Sequence, residues 1–185
     1  DGGTTWSAWQ FPGNPLDNAR TTRGELWKVR ARGKSGTPTV YGPWAESFTV
    51  TITNAAPTAP ATVTVTPTAP YSDDNLVAAA SASTDPDTGD VVSNQYQWRK
   101  STDGGTTWSA WGWASTDGVL ASTNTSRDEM WQARARAVDN FTPMGASAWT
   151  LATPVTIVNK PPTAPTGILI TPANPADGDD LTATA

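Results

Sequence analysis

The sequence predicts an all-β chain built from tandem two-sheet sandwiches, and three observations predict it. The first is composition: Thr, Val and ten Trp favour strands, while sixteen Pro and fifteen Gly punctuate them. The second is an internal repeat. DGGTTWSAW occurs at 1–9 and again at 103–111, a spacing of 102 residues. Glu25-Leu26-Trp27-Lys28-Val29-Arg30-Ala31-Arg32 matches Glu129-Met130-Trp131-Gln132-Ala133-Arg134-Ala135-Arg136 at 104. Asn54-x-x-Pro57-Thr-Ala-Pro60 matches Asn159-x-x-Pro162-Thr-Ala-Pro165 at 105. A spacing that grows in small steps places the insertions in loops between fixed strands. The third observation is two-residue alternation of apolar and polar side chains within the repeat.

One unit is therefore about 100 residues, the size of an immunoglobulin-type sandwich. Residues 1–53 read as the C-terminal half of one immunoglobulin-like repeat, 61–158 as a complete repeat and 166–185 as the first two strands of a third. The segments 54–60 and 159–165 are Pro-rich linkers, extended and stiff. This arrangement reads as an excerpt from a longer array, or as a protomer whose halves complete one another between chains by strand addition.

Within the complete unit, 61–67 is a half-buried strand with Val63 and Val65 inward. Next, 76–83 places Leu76, Ala78, Ala80 and Ala82 on one face. In 92–100, Tyr96 and Trp98 oppose Gln95, Gln97 and Arg99. A turn follows at 101–105, because two glycines after Asp103 supply positive φ without steric cost, and 106–113 returns as the partner strand. In 130–138, Trp131, Ala133, Ala135 and Ala137 oppose Gln132, Arg134 and Arg136. The last strand lies within 148–158, with Val155 and Ile157 inward. Small residues on two strands facing large ones on a third fill a sandwich without voids.

Other totals exclude functions. With neither Cys nor His, the chain has no disulfide, no thiol chemistry, no Ser-His-Asp triad and no imidazole acid–base step. A net charge of −5 disfavours nucleic acid and anionic membranes as partners. No apolar run is long enough to span a bilayer as a helix. Carboxylate pairs fall only in turns, so nothing points to an enzyme.

Trp131-x-x-Arg134-Ala135-x-Ala137-x-Asp139, followed by Gly145-x-Ser147-x-Trp149, resembles the late strands of fibronectin type III domains, with Trp where those usually carry Tyr. The Pro-rich linker and Asp85-Pro-Asp87-Thr-Gly-Asp90 ahead of Tyr96-x-Trp98 resemble polycystic-kidney-disease-type and cadherin-like repeats of large prokaryotic surface proteins. Ser101-x-Asp103-x-Gly105-x-Thr107-Trp108 is similar to the Asp-box of sialidases, in which it is a hairpin remote from the catalytic centre. These resemblances imply an extracellular or cell-surface stalk, spacer, adhesin or fibre subunit.

Two groups are candidate sites. Asp85, Asp87 and Asp90, joined across the unit by Asp139 and approached by Asn54 and Asn140, suit calcium, which takes carboxylate oxygens. The alternative is a polar turn in which Asp caps the backbone. Trp111 and Trp113 can share a strand face in a regular strand, whereas Trp108 and Trp111 cannot. Such rings serve packing or assembly, or stack on glycans. Arg134/Arg136 and Arg30/Arg32 form an outward basic stripe, expected to pair with acidic or Thr neighbours. Asp73 and Asp74 read as solvated turn residues, and Asn124 and Asn140 head glycosylation-type triplets.

The expectation is a non-catalytic structural segment whose partners are neighbouring repeats and other copies in a filament. The alternatives are an adhesin or carbohydrate-binding module, or an accessory domain of a secreted glycosidase.

Overall fold

A computed structural model describes residues 2–10, 15–112 and 114–184. Among these, regular structure is strand apart from two single 3-10 turns, Asn18–Arg20 and Ser122–Asn124. The first 53 residues carry short strands β1 (Leu26–Trp27), β2 (Arg30–Ala31), β3 (Lys34–Ser35), β4 (Val40–Tyr41), β5 (Ala45–Glu46) and β6 (Val50–Thr51). They pair antiparallel as β1–β6, β2–β5 and β3–β4. The central segment holds β7 (Val63–Thr66), β8 (Leu76–Ala80), β9 (Ser93–Ser101), β10 (Val119–Leu120), β11 (Met130–Val138), β12 (Thr150–Leu151) and β13 (Val155–Thr156). A hairpin of β14 (Leu169–Thr171) and β15 (Thr182–Thr184) follows.

Two sheets form the central sandwich. One has the order β10-β8-β7; in the other, β11 pairs with β9 on one side and with β12 and β13 on the other. The core lies between them: Val63, Val65, Leu76 and Ala78 from the first sheet meet Tyr96, Trp98, Trp131, Ala133, Ala135, Val155 and Ile157 from the second. In the β9–β11 register Trp98 lies opposite Ala133 and Tyr96 opposite Ala135, so each large side chain occupies the room its small neighbour leaves. The alternation expected for these strands holds, with one change. β8 ends at Ala80 and Ala82 is exposed, although the chain stays beside the segment leading into β7, with Ser81 N donating to the Thr62 carbonyl at 2.9 Å.

The last strand is broken. Arg134 faces Leu151, but Trp131 faces Val155, so three residues on β11 match four on its partner. The extra residue is a bulge holding Pro154, which has no N–H to give the ladder.

The first Pro-rich linker is packed rather than free. Pro57 and Pro60 are buried. Thr58 N donates to the Thr84 carbonyl at 2.8 Å, and Thr150 Oγ1 donates to the Pro60 carbonyl at 2.6 Å. Pro162 and Pro165 in the second linker are exposed.

Candidate functional sites at the joint and along the tryptophan face

The carboxylates converge where the first linker enters the central sandwich. Asp85, Asp90 and Asp139 each present an oxygen, all within 4.8 Å of one another. Asp139, at the end of β11, accepts from the N–H groups of Phe141 (3.0 Å) and Gly145 (2.9 Å) and from Asn54 Nδ2 across the joint (2.8 Å). The Asn54 amide, then the Gly145 and Phe141 N–H groups and the Arg23 charge, hold its carboxyl below its ordinary value against burial. Gly145 has no room for a side chain: a Cβ there would lie 2.4 Å from Asp139 Oδ2 and 2.8 Å from Asn54 Nδ2.

Arg23, from the segment before the linker, reaches into this cluster. Its guanidinium is bidentate to Asp90 (2.5 and 2.9 Å), donates to Asn54 Oδ1 at 2.5 Å and lies 3.3 Å from Asp87 Oδ2. It also stacks 3.7 Å from the Phe141 ring centroid. Asp87 faces this arginine and the Ala55 N–H (2.9 Å), outside the carboxylate triad. Asn140 is not part of the cluster; it accepts from Val91 N. The Asp85–Asp87 contact is the Asx turn of the capping alternative, with Asp87 N donating to Asp85 Oδ1 at 2.8 Å.

A cation fits this cluster in part. Calcium holds oxygens at about 2.3–2.6 Å, so opposite ligands stand just under about 5 Å apart, and the three carboxylates meet that span. Asp85 Oδ2 is buried without a hydrogen-bond partner, as an oxygen reserved for a ligand would be. Both Asp90 oxygens, however, already serve Arg23.

The hairpin after β9 is self-contained. Ser101 Oγ donates to Asp103 Oδ1 (2.7 Å) and accepts from Gly105 N (2.9 Å). Asp103 also accepts the Thr107 hydroxyl (2.6 Å) and N–H (2.8 Å), and Trp108 Nε1 donates to the Gly105 carbonyl. The same indole-to-glycine bond joins Trp6 to Gly3. The Thr107 hydroxyl, the Thr107 N–H and the Ser101 hydroxyl bring the Asp103 carboxyl down to about 2. An unfolded Asp titrates near about 3.9. The hairpin bonds are therefore expected to be at full strength above about pH 4 and to be lost as the pH falls through about 2. Trp108 fluorescence titrated in acid, beside an Asp103→Asn variant that lacks the transition, checks this.

The return limb is not the regular strand expected for 106–113. Ser109 N donates to Lys100 O, Gly112 N to Trp98 O, and Ser115 exchanges both bonds with Tyr96. The chain thus advances three residues for every two on β9, and Trp108 and Trp111 come to the same face, contrary to expectation. Trp113 lies outside the described residues.

On that face six side chains interleave. The Arg99 guanidinium lies 4.7 Å from the Trp108 ring and 4.5 Å from Trp111; Arg134 lies 4.2 Å from Trp111 and 4.4 Å from Trp149; Arg136 lies 4.8 Å from Trp149. Arg99 and Arg134 thus both stack on Trp111. Each arginine is held flat by a glutamine directly across the strand pair, not by the acidic or Thr neighbours expected. Arg99 donates twice to Gln132 Oε1, Arg134 twice to Gln97 Oε1 and Arg136 twice to Gln95 Oε1, at 2.5–3.0 Å. Burial, then the charges of Arg99 and Arg136, pull the Arg134 guanidinium below its ordinary value. The first segment repeats the ladder: Arg30 lies over Trp9 and Trp44, and Arg32 over Trp44 and Tyr41.

At the far end of the sandwich, Asp74 caps the Tyr71 N–H, while Asp73, exposed as a solvated turn residue, also pairs with Lys160 of the outgoing linker.

These facing sheets define an immunoglobulin-like β-sandwich protein. No protein-family model matches the chain, and no curated protein matches it. Eight chains of known structure do. One is a crystal structure of domains from titin, 14% identical over 75% of this chain at a TM-score of 0.40; the chain spans 61% of that one.

Proposed function

We propose that the chain is a non-catalytic structural segment of an extracellular or cell-surface stalk or fibre, in which sandwich repeats are held at fixed angles by locked joints. One observation carries this reading: Arg23, before the linker, is gripped by Asp90, Asp87 and Asn54 at the entrance of the following sandwich. A joint crossed only by a chain bends freely, whereas one crossed by a bidentate, ring-stacked guanidinium has a preferred angle. Burial of Pro57 and Pro60 against the same sandwich supports the reading.

Small-angle scattering of the whole chain tests it. The native chain is expected to give one narrow inter-unit distance distribution. Arg23→Gln is expected to broaden that distribution while leaving the main melting transition in place, and Gly145→Ala to act in the same direction. Identical profiles for all three would end this reading.

Calcium belongs to this proposal through Asp85, Asp90 and Asp139, with Asp87 at the rim. Bound there, the ion would supply positive charge beside Arg23 and a partner for Asp85 Oδ2. The prediction is a melting midpoint that rises with calcium and falls with chelator in the native chain, but not in Asp85→Asn. A midpoint indifferent to both leaves Arg23 as the sole lock.

A further inference from the structure

The charges on the ladder face are unusual in having no opposite charge. Ion pairs among the described residues go to Arg23, Lys100, Arg127 and Lys160. Arg99, Arg134 and Arg136 have none. Each ladder arginine spends Nε and Nη2 on a glutamine, and its Nη1 has no hydrogen-bond partner among the described residues. The face therefore carries a row of half-exposed guanidinium groups on a chain of net charge −5. Arg134 and Arg136 stand about 6–7 Å apart along β11.

From this the geometry points to a binding surface for a linear acidic polysaccharide, one bearing sulfate or carboxylate groups, laid along the ladder. Three features select that chemistry. The free Nη1 donors suit a sulfate or carboxylate, and a guanidinium already held flat loses little freedom on binding. The glutamine Oε1 acceptors are already used by the arginines, so the row offers donors only; an extended peptide laid there would leave its own N–H groups without acceptors. Arg99 and Arg134 both stack on Trp111, and a ring already stacked by two cations competes poorly for the base stacking that single-stranded nucleic acid needs. The ring edges between the arginines present C–H surface, as does a sugar between its acidic groups. Recognition here is by charge, with the tryptophans as spacers, and it is independent of what locks the joint.

The experiment titrates the whole chain with heparin as a sulfated probe, polygalacturonate as a carboxylated one and dextran as a neutral one, at low and high salt. Heparin or polygalacturonate is expected to bind at low salt and weaken as salt rises, and dextran not to bind. Arg136→Gln is expected to weaken binding about tenfold, with Arg136→Lys recovering part of it. Because Arg136→Gln also removes a ladder contact, Gln95→Glu is the second variant. It places a carboxylate beneath Arg136 without removing any ring or arginine, and is expected to weaken binding as much. Lys160→Gln, a paired cation elsewhere, is expected to leave binding unchanged. The proposal is overturned if neither acidic glycan binds at low salt. It is equally overturned if Gln95→Glu binds like the native chain, if Lys160→Gln weakens binding as much as Arg136→Gln, or if single-stranded DNA displaces heparin on equal terms.

Discussion

Replacing Trp98 with alanine is expected to cost about 3–5 kcal/mol, a large share of the about 5–15 kcal/mol that usually holds a domain folded. The ring lies in the core of the sandwich at 8% exposure, opposite Ala133, whose methyl group cannot fill the space it would leave. Urea unfolding gives the measurement: a large fall in midpoint is expected for Trp98→Ala, and an unchanged midpoint contradicts the packing. Phenylalanine separates size from polarity. The Trp98 indole N–H is buried without a hydrogen-bond partner, so Trp98→Phe removes a group that is costly to bury. Trp131 provides the contrast, because its indole donates to the buried Glu129 carboxylate at 2.9 Å. Burial pushes the Glu129 carboxyl up, but Lys100, this indole and Ser126 N–H more than offset it and leave it below its ordinary value. Trp131→Phe removes one of those supports. It is therefore expected to cost more than Trp98→Phe, although both substitutions delete the same atoms.

That core was legible in the sequence because a two-residue period fixes which side chain faces which sheet, and β9 and β11 pair without a break over nine residues each. The carboxylate cluster was legible in part: Asp85, Asp90 and Asp139 lie in loops that any sandwich of this order brings to one end. Arg23 was not. It is 67 residues from Asp90, in a different repeat, and no local pattern marks a side chain that crosses a joint. Its counterpart one repeat on, Arg127, contacts Asn159 as Arg23 contacts Asn54, so the repeat itself held the signal. The tryptophan ladder was misread for another reason. Strand periodicity assumes two residues per step, and the return limb takes three, which reverses the face assigned to Trp108 relative to Trp111. The spacing Trp-x-x-Trp, recurring beside Arg-x-Arg in both units with Gln across from each arginine of the second, was the available clue.

Arg134 is where the ladder is expected to be most sensitive. Among the described residues of the central sandwich it is the one arginine set between two tryptophans on opposite edges of the sheet: Trp111 on the return limb beyond β9, and Trp149 beside β12. Removing it detaches both edges from the middle. Each cation–π contact contributes from about 0.5 to about 2 kcal/mol according to how far it is shielded from water, and the bidentate bond to Gln97 adds a charged hydrogen bond of about 1.5 kcal/mol or more. Arg134→Ala is therefore expected to cost about 2.5–5.5 kcal/mol, and Arg136→Ala, with one ring among the described residues and one glutamine, less, about 2–3.5 kcal/mol. Arg134→Lys decides what kind of contact this is. Lysine keeps the charge but cannot lie flat between two rings while donating twice to one carboxamide oxygen. Less than half of the lost stability is expected to return with it, and the near-ultraviolet dichroism of the stacked indoles is expected to stay reduced. If lysine restores both stability and dichroism, charge alone holds the edges together and the planar stacking contributes nothing of its own.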